Sequence, residues 1–176
     1  MKIKRLVGGS LESNGYIISR ARGGSCYVID PGYEPKRFIT YIEEEELRVL
    51  GVILTHHHHV GGAEKLRDYF SCPVMMHEQD AFLYRRPVDR LLRDGDELDL
   101  DGETLRVYHT PGHTRGSICI LSEKSKVVFT GDTIFDTDLG RTDLPDGNPR
   151  DMIRSCRDVI NKWSNAYTIY PGHDGS

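Results

Sequence analysis

The sequence predicts an α/β fold in which two sheets pack face to face with helices on the outside. Both halves of the 176-residue chain contain short apolar segments with the length and pattern of strands, and both also contain amphipathic segments with helical spacing. Helices and strands mixed in this way favour layers of helix on sheet. Because no low-complexity linker divides the chain, we expect residues 1–176 to form a single domain.

Turn clusters mark the elements of the first half. Pro35 starts a helix whose apolar positions are spaced for one buried face: Phe38, Tyr41, Ile42 and Leu47. The segment from Leu47 to Leu54 is apolar enough to be a central parallel strand buried on both faces. The other predicted elements are strands at about 2–7, 15–20, 25–30 and 73–76, and helices at about 63–70 and 78–84.

The second half repeats this pattern more loosely. We predict strands at about 97–100, 104–109, 117–121 and 126–130, followed by an irregular stretch rich in Gly, Asp and Pro from Gly131 to Pro149. A helix at about 150–162 and a strand at about 166–170 complete the predicted elements.

Composition excludes several classes of partner. The net charge of −4 has no basic cluster behind it, so nucleic acid is not an expected partner. The longest apolar runs are far shorter than the ~20 residues that span a bilayer, and the N-terminal segment lacks the apolar core of a secretory signal. We therefore expect no membrane association and a cytoplasmic location. The four cysteines are scattered without a C-x-x-C pair, which predicts reduced, structural thiols.

Four predicted strands each end in a short loop that carries a side chain of a metal-ligand type. His56 follows the strand that ends at Leu54, and His113, Asp132 and His173 each follow a later strand. Glycines in these loops let the chain turn sharply over the sheet edge. If the strands lie side by side, the four loops meet at one edge, where open α/β sheets bind ligands. Imidazole and carboxylate together indicate a zinc-class site, with iron or manganese as alternatives.

The remaining histidines require separate interpretation. His58 joins the ligand group, whereas His57 is interpreted as a spacer. His77 and His109 are interpreted as ordinary exposed histidines in loops. The run of four histidines is internal and follows a buried strand, so it is not a terminal purification tag.

The order of these motifs resembles that of the metallo-β-lactamase fold hydrolases, especially their compact glyoxalase II-like (hydroxyacylglutathione hydrolase-like) branch. The resemblance also includes Asn14-Gly15-Tyr16 and Asp30-Pro31-Gly32, so it runs nearly end to end. It implies a four-layer αβ/βα sandwich of two facing mixed sheets with helices outside. The main motifs are Thr55-His56-His57-His58-His59 with Gly61-Gly62, Thr110-Pro111-Gly112-His113-Thr114, Gly131-Asp132-Thr133 and Tyr170-Pro171-Gly172-His173.

This resemblance implies roles for individual residues. His56, His58 and His113 would hold a first metal ion, Asp132 would bridge two ions, and His173 would belong to the second. The implied cofactor is one or two transition-metal ions, zinc before iron or manganese. Arg141, in the loop after Asp132, would either steady the site or meet an acidic substrate.

The chain departs from the family pattern in two places. The family has H-x-H-x-D-H-x-G-G, and this chain is two residues shorter between His58 and Gly61, so the aspartate of the second metal site has no counterpart. His59 is either the last histidine of the motif, and then a ligand, or a spacer. The chain also stops at Ser176, three residues after His173, and the usual C-terminal helix is expected to be absent. The uncovered apolar surface would favour self-association into a homo-oligomer.

The resemblance implies hydrolysis of a thioester or related acyl bond in a small-molecule substrate. No protein nucleophile is then needed, because a metal pair lowers the pKa of water. Lactam or lactone cleavage and iron-dependent sulfur oxidation are alternatives within the same fold, since fold alone does not select the substrate. The short first motif leaves a second class open, a metal-binding protein with little or no turnover.

Overall fold

Two facing sheets form the centre of the molecule. The computed structural model describes residues 1–58, 60–136, 138–163 and 165–174. His59, whose role as ligand or spacer the sequence left open, lies outside the described residues. Within the described ranges the chain forms one sheet of six strands and one of five, together with four α-helices.

The six-stranded sheet is built in chain order from the first half. The antiparallel strands come first and the parallel ones follow, so that β4 has a parallel neighbour on each side, as predicted for a central buried strand. The strands are β1 (Lys2–Gly8), β2 (Ser13–Ser19), β3 (Ser25–Ile29), β4 (Arg48–Ile53), β5 (Val74–His77) and β6 (Arg90–Leu92).

The five-stranded sheet comes from the second half. Its order is β11-β10-β9-β8-β7, and all neighbours are antiparallel except β10 and β11, which run parallel. Both sheets are therefore mixed, as the family resemblance implied. The strands are β7 (Glu97–Leu100), β8 (Glu103–His109), β9 (Ile118–Ser122), β10 (Val127–Gly131) and β11 (Thr168–Pro171).

Helices cover the outer faces and complete a four-layer sandwich. α1 (Pro35–Glu44) and α2 (Ala63–Phe70) connect parallel strands and pack on the six-stranded sheet. α3 (Glu78–Tyr84) follows β5. α4 (Pro149–Asp158) is capped by Asn148, whose side chain accepts hydrogen bonds from two backbone N–H groups of the first turn.

The main core lies between the sheets. It contains apolar side chains from both, including Ile18, Ile53, Leu105, Ile120 and Phe129, each at most 1% exposed. A second apolar cluster fills the space between the six-stranded sheet and α1 and α2. Burial on two faces explains why β4 and β9 read as continuous apolar runs.

Three details of the predicted elements were wrong. β6 was not predicted, because it is a three-residue edge strand with only Leu92 buried. The last predicted helix ends at Asp158 and is followed by a short 3-10 turn. Leu47 is buried but lies beyond α1, since the helix ends at Glu44 and Glu46, with a positive φ of 55°, turns the chain away.

All four cysteines, each within the described ranges, are free thiols, as predicted. Among the described residues no helix is both long and apolar enough to cross a bilayer.

Candidate metal centre

His56 is oriented by a chain of hydrogen bonds that begins at Asp30. The Thr55 hydroxyl donates to Asp30 Oδ2 at 2.6 Å, and its oxygen then accepts from His56 Nδ1 at 2.9 Å. This assignment leaves Nε2 of the buried ring facing Asp132, whose Oδ2 is 3.6 Å away. Burial alone would lower the pKa of His56, but the charge and hydrogen bond of Asp132 raise it to about 9. The raised pKa of His56 shows that the negative charge of Asp132 favours a positive charge at this position.

His113 and His58 bring two more ring nitrogens to the same place. His113 Nδ1 donates to the carbonyl of Arg141 at 2.9 Å, so its Nε2 faces the cluster, 3.1 Å from His58 Nδ1. Burial and the neighbouring imidazoles lower the pKa of both rings, that of His58 to about 3. Both are thus neutral imidazoles with a lone pair available near neutral pH.

Asp132 is the carboxylate around which the histidines gather. Its Oδ2 is 3.2 Å from His173 Nε2 and 3.5 Å from His113 Nε2. Its Oδ1 is buried and has no hydrogen-bond partner among the described residues. Although burial raises the pKa of Asp132, the His56 charge and the hydrogen bonds of His173 and His56 hold it well below its usual range. The group is a fixed buried anion.

His173 is held by a contact with the other sheet. Its Nδ1 donates to the Leu11 carbonyl in the β1–β2 turn at 3.0 Å. The hydrogen bond from His173 to Asp132 raises the pKa of His173. Gly172 permits this arrangement, because a Cβ at that position would collide with Asp132 Oδ1.

The donor set fits a transition metal. One ring nitrogen from each of His56, His58 and His113 lies within 4.8 Å of the others, and Asp132 adds a buried carboxylate. The rings of His56, His113 and His173 each contact a protein oxygen through the nitrogen that faces away from the cluster. Histidines that bind a metal usually make this second contact. Imidazoles with one carboxylate suit zinc, iron or manganese better than the oxygen-only sites of calcium or magnesium.

One expectation about the placement of the loops was wrong. The four strands do not lie side by side in one sheet: β4 belongs to the six-stranded sheet, whereas β8, β10 and β11 belong to the other, and β9 separates β8 from β10. The loops meet because the two sheets face each other with these ends at the same edge. The backbone of Ile118 donates to Thr55 O at 2.9 Å across this junction.

Asp80, which the sequence did not single out, ties two of these loops together. Its buried carboxylate accepts hydrogen bonds from the backbone N–H and Nδ1 of His57 at 2.8 and 3.0 Å. It also accepts from Thr114 Oγ1 at 2.8 Å and Gly116 N at 2.7 Å. His57, predicted to be a spacer, therefore turns away from the cluster towards Asp80. The sequence signal was weak, because Asp80 lies in a short helix outside the recognised motifs.

The prediction that His77 and His109 are merely exposed was wrong. Their rings stack with centroids 4.1 Å apart and an interplanar angle of 8°. They sit at the ends of β5 and β8, so the pair joins the two sheets. His109 Nε2 also contacts the Arg115 carbonyl at 2.8 Å. No local pattern could have shown this pairing.

The cluster lies at the floor of a cleft of about 750 Å³. Arg141 lines this cleft. Its carbonyl steadies His113, while its guanidinium is exposed and donates to Asp143 Oδ1 and Oδ2 at 2.7 and 2.9 Å.

Known protein sequences resemble this chain along most of its length. The sequence profile of the metallo-beta-lactamase superfamily matches residues 8–173. The protein ML0493 of Mycobacterium leprae is 36% identical over 204 aligned positions, covering 100% of this chain and 93% of the relative. The hydroxyacylglutathione hydrolase GloC of Haemophilus influenzae is 36% identical over 166 positions, covering 83% of this chain and 78% of the relative. The first alignment is longer than the 176-residue chain, so that relative has residues this chain lacks.

Solved structures share the fold. The BLEG-1 B3 metallo-beta-lactamase superposes with a TM-score of 0.91 at 28% identity, over 99% of this chain and 92% of that one. TTHA1623, solved in a di-iron-bound form, superposes with a TM-score of 0.86 at 28% identity, over 98% of this chain and 92% of that one.

Proposed function

Since the chain belongs to the metallo-beta-lactamase superfamily and is by resemblance a metal-dependent hydrolase, we propose that it hydrolyses a thioester or related acyl bond. The observation that carries the proposal is that the imidazoles of His56, His58 and His113 lie together. The buried carboxylate of Asp132 lies beside them at the floor of one cleft. The similarity to a relative named as a hydrolase of hydroxyacylglutathione supports the choice of a thioester.

The proposed ligands follow from the donor atoms. His56, His58 and His113 would hold the first ion, and Asp132 would bridge it to a second ion on the His173 side. Zinc is the metal we propose first, because imidazole dominates the donor set. Iron and manganese are the alternatives, and the di-iron form of TTHA1623 supports the first of these.

The protein's part in the chemistry is to hold and orient. When bound, the metal would act as a Lewis acid on the substrate carbonyl and lower the pKa of water. Thr55, the Arg141 carbonyl and the Leu11 carbonyl fix the rings of His56, His113 and His173. No serine, cysteine or lysine is among the described residues that line the cleft, which supports water as the attacking group.

A paired measurement of metal and turnover tests the proposal. We expect protein purified without added metal to contain zinc, iron or manganese by elemental analysis, and to cleave a chromogenic thioester. The His113→Ala variant should bind less metal, and its kcat/KM should fall at least ~100-fold. Removing a residue that only contacts a ligand already costs about 10–100-fold, and removing the ligand itself should cost more. His77→Gln, which changes a histidine outside the cluster, is the matched control. Retention of metal and activity in His113→Ala would refute the ligand assignment.

A metal-binding protein with little turnover is the second candidate. It is favoured by the second metal position, since the aspartate that the family places there has no counterpart in this sequence. Inserting Asp-His between His59 and Val60 would restore the family spacing. If the native chain is impaired, the insertion should raise metal content towards two ions per chain and increase hydrolysis by orders of magnitude. A native chain with full turnover and no gain from the insertion would exclude this candidate.

A further inference from the structure

Two apolar walls flank the candidate metal centre. The β1–β2 side contributes Val7 and Leu11, and the segment after Asp132 contributes Phe135, Leu139 and Leu144. Leu11 is 63% exposed and Leu139 48% exposed, although both belong to large apolar side-chain types. Apolar side chains exposed together in a cleft mark a surface that binds an apolar group.

Each wall is attached to a candidate ligand. Leu11 is fixed by the hydrogen bond from His173 to its carbonyl, and the adjacent backbone is fixed by Asn14 N donating to Gly172 O at 2.7 Å. The other wall is fixed by His113 donating to the Arg141 carbonyl and by Gly140 N donating to Thr133 O at 2.9 Å. The apolar walls are thus preformed around the centre, which lowers the entropic cost of binding an apolar group.

The charges beyond the centre are mostly negative. Glu12, Asp138 and Asp174 line the cleft, with Asp174 paired to Arg5 at 2.9 Å, and Arg141 is the one cation among the described lining residues. The guanidinium is paired with Asp143 through its Nε and Nη2, so part of its charge is already neutralised. A carboxylate on the distant part of a substrate would therefore be repelled by Glu12 and Asp138, while the charge of Arg141 is already partly neutralised by Asp143.

We propose that this cleft selects acyl thioesters whose acyl chain is apolar and whose leaving thiol carries no carboxylate, and that it discriminates against glutathione thioesters. The inference rests on the proposed function and names its substrate class. In the reaction, water forms the new C–O bond to the carbonyl carbon, the C–S bond breaks, and the thiol leaves with a proton from that water. No further reactant is required.

Three substrates separate the two parts of the proposal in the zinc-loaded protein. S-hexanoyl-N-acetylcysteamine has an apolar acyl chain and a neutral leaving thiol, S-hexanoylglutathione changes the leaving thiol, and S-lactoylglutathione changes both. We expect kcat/KM to be about fivefold to tenfold higher for the neutral thiol than for glutathione with the same acyl chain, the effect of the net charge of −1 on glutathione at close range in water. Added salt should narrow this difference. Equal values, or a preference for either glutathione ester, would overturn the proposal.

Substitutions in the cleft test whether its residues cause the substrate preference. Glu12→Gln with Asp138→Asn should raise kcat/KM for the glutathione esters relative to that for the neutral substrate. Leu11→Ser and Leu139→Ser should each lower kcat/KM for the hexanoyl esters by about threefold to tenfold, the effect of exposing part of an apolar contact. Ile153→Ser, a 64% exposed residue on α4, is the matched control. Preferences unaffected by these changes would contradict the role of the walls.

Binding decides the question if no thioester is cleaved. Absence of hydrolysis with all three substrates would refute the proposed function but not the selectivity. Calorimetric titration of the zinc-loaded protein with hexanethiol, N-acetylcysteamine and glutathione then supplies the readout. Tighter binding of the two uncharged thiols, lost selectively in the Leu11→Ser and Leu139→Ser variants, would support the inference. Tighter binding of glutathione would refute it.

Discussion

Asp80 accepts hydrogen bonds from both the His56–His58 loop and the loop that carries His113, and it does so from outside the cluster. Burial raises the pKa of this carboxyl, but hydrogen bonds from His57 and Thr114 outweigh burial and lower the pKa below its ordinary value. The group is therefore charged near neutral pH. A buried carboxylate with four donors is costly to replace, because each donor would lose its partner. Asp80 thereby sets the distance between two candidate ligand loops that belong to different sheets.

Asp80→Asn tests this positioning role. The amide keeps the shape but turns an acceptor into a donor facing other donors, so we expect zinc affinity to fall about 10–100-fold, the usual effect of altering an outer contact of a ligand. Competition with a chromophoric chelator measures this. Asp89→Asn, which removes a carboxylate far from the cluster, should leave zinc affinity unchanged. Equal affinity in the Asp80→Asn and native proteins would show that the loops hold their places without this carboxylate.

At the scale of elements, an ion pair between Arg67 and Asp89 adds to the apolar packing of α2 on the parallel strands. Asp89, which precedes β6, accepts two hydrogen bonds from Arg67 at 2.8 Å each and one from Val74 N at 2.8 Å. Hydrogen bonds from Arg67 and the Val74 backbone lower the pKa of Asp89 to about 2. The pair is about one-third exposed, so its contribution to stability is modest.

We expect Asp89→Asn to lower the free energy of unfolding by about 1 kcal/mol at pH 7. Because the folded pKa is below the unfolded value of about 3.9, the contribution is complete above pH ~4 and is lost as the pH falls towards 2. Urea unfolding at pH 7 and at pH 2.5 should therefore show a difference between native and variant proteins that shrinks in acid. Asp68→Asn, exposed on the same helix, is the control and should change stability by less than ~0.5 kcal/mol. A difference that grows in acid would contradict this account.

At the scale of the whole molecule, the candidate centre joins the two sheets. His56 and His58 follow β4 of one sheet, whereas His113, Asp132 and His173 follow strands of the other. A cation held by residues of both sheets binds the folded state and not the unfolded one, so it stabilises the fold by mass action. The buried charge of Asp132 gives such a cation a stronger partner than a surface carboxylate would.

Removal of metal should therefore lower the melting temperature. At a free zinc concentration of about 1,000 times Kd the stabilisation is about 4 kcal/mol, which corresponds to a shift of roughly 8–16 °C for a domain of this size. Thermal unfolding with zinc and with a chelator measures the shift. The shift should be smaller in Asp132→Asn, which keeps the three histidines of the first site but loses the buried carboxylate. A native protein whose melting temperature does not respond to zinc would contradict the proposed ligand set.

The sequence by itself determined most elements, because hydrophobic period and turn residues act locally, and the strands β7 to β10 were found within about one residue. It also indicated which loops carry His56, His113, Asp132 and His173, since each follows an apolar strand and a glycine or threonine. Tertiary structure alone decided that these loops come from two facing sheets, that Asp80 joins them, and that His77 stacks on His109. These features depend on contacts between residues that are distant in the chain, such as those of Asp80 with His57, 23 positions away, and with Gly116, 36 positions away. Such contacts leave no periodic signal in the sequence. The same holds for the apolar walls of the cleft, whose exposed leucines are ordinary residues until the fold places them beside the cluster.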